Sequence, residues 1–340
     1  MATEHTDEKH FSEASLSDVP AFYLGNETDI SDGTGTTVII APKGVIAGCD
    51  VRGGGPATRE TDLLRSENMV HQVHAIMLSG GSAFGLAAAD GVMRALDKAG
   101  IGLSFAGMHV PIVPSACLFD LALGRSDIRP DAEFGRHAVE HALARDPFER
   151  GCVGAGTGAS VGKILGFEHA MKSGLGLNVV RYGSLVVGAV VAVNASGSIV
   201  DRQGRVIAGA RDAHGKLISR ADALPYELDA IHAYGNALTD ADKRASENTS
   251  IGCVFTNACL TKAQANKVAS MTHDAYGRAI YPVHTPNDGD TIFCMASGEV
   301  TVPAPVDMVG LLSCVAMREA IYDSVYQATD GYGLPSIQGL

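Results

Sequence analysis

The sequence has no tryptophan, and its seven cysteines include no Cys-x-x-Cys pair. The cysteines (Cys49, Cys117, Cys152, Cys253, Cys259, Cys294 and Cys314) are odd in number and scattered through apolar surroundings. They predict reduced thiols packed as small core residues rather than a disulfide framework. Basic residues are also sparse: 26 Lys and Arg face 38 Asp and Glu, giving a net charge of −12 with no Lys/Arg-rich run. Nucleic acids and anionic membranes are therefore excluded as expected partners. Long hydrophobic runs are missing too. The best candidate, Leu185 to Val193, is about half the roughly 18–20 residues that a membrane span requires. Residues 1–20 carry Asp, Glu, His and Ser without the apolar stretch of a signal peptide, so a disordered tail and a cytoplasmic location are expected. The glycosylation sequons at Asn26, Asn194 and Asn248 are accordingly chance matches.

What the chain does have is enough apolar residue, 46% of 340, to build a large core. No internal repeat of 20–50 residues occurs. The segment 36–51 is β-rich, with Pro42-Lys43-Gly44 predicting a turn between two short strands. A strand at Ala75 to Leu78 runs into Ser79-Gly80-Gly81-Ser82. A helix follows, carrying Leu86, Ala89, Val92, Met93 and Leu96 at helical spacing. Further helices are predicted over 132–144, 261–280 and 308–326, and strands over 251–256 and 291–296. The stretches 184–194 and 198–200 predict a hairpin. Residues 201–248 read as polar and irregular, where a processing site would be accessible. Strands in groups with helices between the groups indicate an α+β layered architecture.

Several patterns invite a chemical reading. Gly154 to Lys163 looks like a phosphate cradle, but Thr157 and Ile164 stand where a P-loop needs Gly and Ser/Thr. What remains is a loop delivering one cation, Lys163, or simply a solvated lysine. His137-Ala138-Val139-Glu140-His141 puts two imidazoles on one helix face, as in inverted zincins; a catalytic zinc needs a third protein ligand, for which Glu227 is the candidate, and the flanking Arg136 and Arg145 equally suit an ordinary charged helix. Asp288-Gly289-Asp290 is either a plain turn or a pair of carboxylates able to orient a hydroxyl or ammonium group. Asn194, ending an apolar strand, is either a turn former or a donor to a developing oxyanion. Glu247-Asn248-Thr249-Ser250-Ile251-Gly252 is a polar loop feeding a strand. Alternatively, cleavage at Asn248–Thr249 makes Thr249 an N-terminus whose α-amine serves as base for its own hydroxyl.

Taken together, five segments resemble one family. They are Asp50-Val51-Arg52-Gly53-Gly54, Leu78 to Leu86, Gly154 to Ala159 with Gly162-Lys163, Asn248 to Gly252, and His284-Thr285 with Asp288 to Thr291. The family is that of the L-aminopeptidase/D-esterases, β-peptidyl aminopeptidases and 6-aminohexanoate-oligomer endohydrolases (nylon hydrolases). The resemblance implies a four-layer αββα sandwich, similar to N-terminal-nucleophile hydrolases with different connectivity. It also implies one catalytic domain cut into an α chain (21–248) and a β chain (249–340). Carried over position by position, Thr249 is the nucleophile, Asp288 and Asp290 position it, Asn194 stabilises the oxyanion and Lys163 lies nearby. Gly81, Ser82 and Phe119 line the substrate site. Where the nylon hydrolases carry a tyrosine, this chain has Phe119, which cannot donate a hydrogen bond; this weakens the expectation of a nylon substrate more than that of the reaction class. No metal or cofactor is implied, and family members form tetramers of αβ units. The expected activity is hydrolysis of peptide or other amide bonds. Its rivals are acyl transfer of the ornithine-acetyltransferase type and a non-catalytic binding protein on the same fold.

Overall fold

The computed structural model describes residues 11–236 and 248–340. Its main sheet system contains β1 (Phe11–Glu13), β2 (Tyr23–Asp29), β3 (Thr34–Val51), β4 (Ala57–Arg59), β5 (Val73–Ser79), β6 (Ser115–Cys117), β7 (Leu175–Tyr182), β8 (Leu185–Asn194), β9 (Thr249–Ala258) and β10 (Thr291–Val300). The α-helices are α1 (Ala88–Lys98), α2 (Ala132–Ala144), α3 (Arg220–Asn236), α4 (Lys262–Ala279) and α5 (Pro305–Tyr326). Strand order is β1-β7-β8-β9-β10-β3-β5-β6-β4, with β2 also paired to β3. Most neighbours are antiparallel; β9/β10 and β5/β6 are parallel.

β3 is common to two sheets. Its first half pairs with β2 and β5, while residues 46–51 pair with β10. The predicted turn at Pro42-Lys43-Gly44 is instead a register irregularity within one long strand. Proline cannot donate to a ladder, so an interruption there breaks the pairing without ending the strand.

Side-chain alternation then builds four layers. Ile39, Ala41, Val45 and Ala47 of β3 meet Val186 and Val190 of β8, Ile251, Cys253 and Phe255 of β9, and Phe293 and Met295 of β10 between the sheets. The opposite faces of β8 and β10, with Val187, Val191, Ile292 and Cys294, pack against α4 and α5. Val38 and Ile40 of β3, with Ala75 and Met77 of β5, pack against α1 and α2. The order is helices, sheet, sheet, helices, as the resemblance implies. Both faces of β8 and β9 are covered, which explains why all ten residues of each strand are buried and why β8 reads as an unbroken apolar run.

The helices over 132–144 and 261–280 form as their sequences predict. Asp131 caps α2 through the N–H groups of Glu133 and Phe134, and Thr261 with Gln264 closes a capping box at α4. The α4 stripe Ala265, Val268, Ala269, Thr272, Tyr276 and Ala279 is buried as predicted.

Three further expectations are corrected. Residues 11–20 are not a disordered tail: Phe11–Glu13 adds β1 to the edge of β7, and Val19 is fully buried, because a free sheet edge and an apolar side chain both gain by pairing. The remainder of the expected tail, 1–10, lies outside the described residues. The hairpin does not form. β8 pairs with β7 and β9, while Ser198–Val200 joins Val206–Ala208 and Ile280–Tyr281 in a small separate sheet. Finally, the segment expected to be irregular contains α3, opened by Ser219, whose hydroxyl contacts both the N–H and the carboxylate of Asp222. Among the described residues no helix is long and apolar enough to cross a membrane.

Candidate active site

Strand pairing assembles the site. Antiparallel pairing sets Asn194, the last residue of β8, opposite Thr249, the first residue of β9. Parallel pairing sets Ile251 opposite Thr291, so the turn that enters β10 with Asp288 and Asp290 lies at the same sheet end as Thr249. Residues far apart in sequence thus meet at the start of two adjacent strands. The continuation of β3 clamps this turn from the other side: Arg52 N–H donates to Asp290 O at 2.9 Å and Gly55 N–H to Asp288 O at 2.8 Å.

Thr249 is buried, and its hydroxyl donates to the carbonyl oxygen of Asn248, the residue before it. The same Oγ1 accepts the Gly289 N–H at 3.1 Å. Gly289 has to be glycine here, since a Cβ would stand 2.8 Å from Thr249 Oγ1 and from Gly55 O.

The two carboxylates are each 1% exposed and are held differently. Asp290 Oδ1 accepts the Ser250 N–H at 2.8 Å, and its Oδ2 accepts from His284. Asp288 Oδ2 accepts the N–H and the hydroxyl of Thr285 at 2.8 and 2.6 Å, while its Oδ1 is buried without a hydrogen-bond partner. Burial, reinforced by the charge of Asp290, pushes the Asp288 carboxyl above the usual carboxylate range. The Thr285 hydrogen bonds and the Lys163 charge oppose that rise.

Lys163 is buried with its Nζ donating to Asn194 O at 3.1 Å and to Asn194 Oδ1 at 2.8 Å. Ser160 N–H also reaches Asn194 Oδ1, at 3.1 Å. These bonds fix the orientation of the amide, whose Nδ2 donates to Phe119 O at 2.7 Å. The predicted Phe119 therefore meets the site through its backbone carbonyl. Gly81 and Ser82 adjoin it: Gly81 N–H donates to Asp120 Oδ1 at 2.7 Å, and Ser82 N–H to Leu118 O at 2.8 Å. Thus Lys163, Asn194, Phe119, Thr249, Asp288 and Asp290 form one connected arrangement, with Gly81 and Ser82 on its flank.

Other sequence patterns resolve elsewhere. Backbone N–H groups of the glycine-rich segment go to protein partners, Gly154 to Thr28 Oγ1 and Ala155 to Thr37 Oγ1, rather than forming a phosphate cradle. His137 and His141 face Glu27 at 3.5 and 3.7 Å, and His141 also contacts Asp146 at 2.7 Å. Among the described residues no group of three or more His, Cys, Asp or Glu is placed to hold a metal ion. The side chain of Glu227 lies outside the described residues.

Sequence reasoning passed over Asp120, Gly289 and the separate part played by His284. Asp120 is buried and accepts from Gly81 N–H and the Thr34 hydroxyl, and desolvation raises its carboxyl to about 6. Its signal was a lone acid in the apolar stretch ending at Leu123. For Gly289 no signal existed beyond its place between two carboxylates.

Comparison with known proteins identifies the family and the fold. The sequence profile of peptidase family S58 matches residues 14–335. An uncharacterized aminopeptidase of Mycobacterium leprae is 35% identical, over 96% of this chain and 94% of that protein. The 6-aminohexanoate-oligomer endohydrolase of Paenarthrobacter ureafaciens is 32% identical, over 92% and 84%. Among solved structures, the L-aminopeptidase D-Ala-esterase/amidase of Ochrobactrum anthropi, described as a variant of the Ntn-hydrolase fold, superposes with a TM-score of 0.67. That match has 17% identity and covers 92% of this chain and 85% of that one. A β-aminopeptidase of a Burkholderia species gives a TM-score of 0.63 at 17% identity, covering 96% and 92%. With an Ntn-hydrolase-like fold and a family match spanning nearly its whole length, the chain belongs to peptidase family S58 and is a hydrolase.

Proposed function

We propose that the chain is a self-processing amidohydrolase of the aminopeptidase type, in which Thr249 first cuts its own chain and then acts as an N-terminal nucleophile. One observation carries the reading: the buried Thr249 hydroxyl donates to the carbonyl oxygen of the peptide bond it would attack, while Gly289 N–H donates to the hydroxyl oxygen Oγ1. In maturation, Thr249 Oγ1 bonds to the Asn248 carbonyl carbon and gives up its proton. The C–N bond then breaks, the departing amine takes a proton, and an ester remains. Water adds its hydroxyl to the acyl carbon and returns a proton to Oγ1, leaving a carboxylate on Asn248 and a free α-amine on Thr249.

In the mature enzyme that amine takes the hydroxyl proton as Oγ1 attacks a substrate carbonyl, and passes it to the leaving amine. Water then releases the acyl group. A side-chain amide carries two N–H donors. Asn194, pinned by Lys163 and Ser160, would present one of them to the oxyanion. Asp288, with its unpartnered Oδ1, would hold the new ammonium group. The names of the relatives favour short peptide or linear amide substrates.

The test is intact mass under denaturing conditions for wild type and Thr249→Ala. Wild type should give fragments 1–248 and 249–340, and Thr249→Ala a single uncut chain without amidase activity. A cleaved Thr249→Ala protein would refute self-processing by this residue.

A further inference from the structure

Behind the nucleophile, the hydrogen bonds of Asp290 are divided between two elements. Its Oδ1 takes the N–H of Ser250, the residue after Thr249, while its Oδ2 takes two donors from one residue, the backbone N–H of His284 at 3.1 Å and the ring Nδ1 at 2.8 Å. Asp290 already accepts the backbone N–H groups of Ser250 and His284, and the ring Nδ1–H is read as a third donor to it.

The rest of His284 is costly for the fold. Its φ is 57°, in the left-handed region that costs any residue but glycine, even though His, Asn and Asp enter it more often than the rest. The ring lies against His273 edge-on at 4.8 Å and stacks over Tyr276 at 6.0 Å between centroids. Its Nε2 is buried without a hydrogen-bond partner, as are His273 Nδ1 and Tyr276 Oη. His273 cannot relieve it, since its Nε2 is directed to Asp50 O at 3.0 Å. An imidazole here leaves one nitrogen unsatisfied and strains the backbone, which packing alone does not explain. Such strain persists where surrounding structure enforces it for a purpose.

We infer that His284 is a positioning residue. By gripping Asp290 Oδ2 from two sides, it fixes Oδ1 on the Ser250 N–H, and through that bond it sets the backbone that presents the Thr249 hydroxyl to its target carbonyl. The inference rests on the self-processing reading, and it adds a residue that touches neither substrate nor nucleophile. It distinguishes the two carboxylates: Asp288 is held within its own turn by Thr285, whereas Asp290 ties the turn to the β9 backbone.

The experiment compares wild type, His284→Gly and His284→Asn in the full chain. The rate at which fragments 1–248 and 249–340 appear is followed by intact mass, alongside the thermal midpoint. Glycine accepts the φ of 57° but has no side-chain donor; asparagine also tolerates it, and its Nδ2 can stand where the ring Nδ1 stood. His284→Gly should cut about 10–100-fold more slowly, the usual cost of losing a group that orients a functional side chain, with no matching fall in thermal midpoint. His284→Asn should restore the rate to within roughly threefold of wild type. His284→Gly cutting as fast as wild type, or His284→Asn cutting as slowly as His284→Gly, would overturn the positioning role while leaving self-processing intact. A wild-type chain that stays whole would overturn both.

Discussion

Gly289→Ala adds a single methyl group at the most sensitive point of the site. No left-handed φ is involved at this glycine, so the effect is one of space. The new Cβ would lie 2.8 Å from Thr249 Oγ1, 2.8 Å from Gly55 O and 3.2 Å from Pro56 Cα. Ordinary contact begins near 3.4 Å, so the approaches to both oxygens must open by about 0.6 Å. Gly55 O cannot move cheaply, because its own residue is bound through N–H to Asp288 O. The Thr249 hydroxyl can move, by turning about χ1 away from the Asn248 carbonyl and the Gly289 N–H. The expected loss of stability is that of mild overpacking, about 1–3 kcal/mol. The expected loss of rate is larger, because displacing a reacting atom by about 1 Å costs about 100-fold; roughly half that displacement predicts a 10–100-fold slowing of self-cleavage. Intact mass sampled over time after rapid purification measures the rate, and urea unfolding measures the stability. A variant that cuts at the wild-type rate would show that the Thr249 rotamer seen here is not the reacting one.

Two further outcomes follow from the same geometry. Asn194→Ala should lower kcat for amide hydrolysis by about 10²–10³ with little change in KM, as for loss of an oxyanion donor; steady-state kinetics on the matured protein checks it, and an unchanged kcat removes Asn194 from that role. Asp120 is an acid whose carboxyl is raised by burial from 3.8 to about 6, so the native state binds its proton more tightly than the unfolded chain does. Its contribution is present below about pH 4 and is lost as pH rises through about 6, some 3 kcal/mol in all. His273, whose buried imidazole is lowered to about 4, works in the opposite direction over the same range. The difference in urea stability between wild type and Asp120→Asn, which cancels the histidine, should therefore fall by about 3 kcal/mol between pH 4 and pH 7. A flat difference would contradict the assignment.

Much of the architecture was legible because local signals agreed with the tertiary result. Apolar residues at helical spacing from Ala265 to Ala279 announced α4, and the apolar run 184–194 announced a strand, though not the partners that cover both its faces. The two-sheet role of β3 was not legible, because Pro42-Lys43-Gly44 has the composition of a turn and only the neighbouring strands decide that it becomes an irregularity instead. α3 was hidden by a polar segment whose capping residues, Ser219 and Asp222, were its only clear local mark. In the site, residue types such as the Asp288 and Asp290 pair could be named from sequence. The parallel register that brings that pair to Thr249 could not, since nothing within 249–258 or 291–300 states which strands will be neighbours. Gly289 and His284 act through a 2.8 Å approach and a backbone angle, and neither is written in residue type.

The strand order has a consequence for a chain cut at the proposed site. β9 and β10 sit side by side in the middle of the sheet, flanked by β8 on one edge and β3 on the other. A break before Thr249 would therefore leave the shorter piece clasped between two strands of the longer one, its ladders intact on both sides. Only the uncut chain has its two halves tethered while they find this register. Once severed and unfolded, the pieces would need a two-body encounter to thread two central strands back between their neighbours, so such a cut would act as a ratchet on folding, crossed once, in one direction.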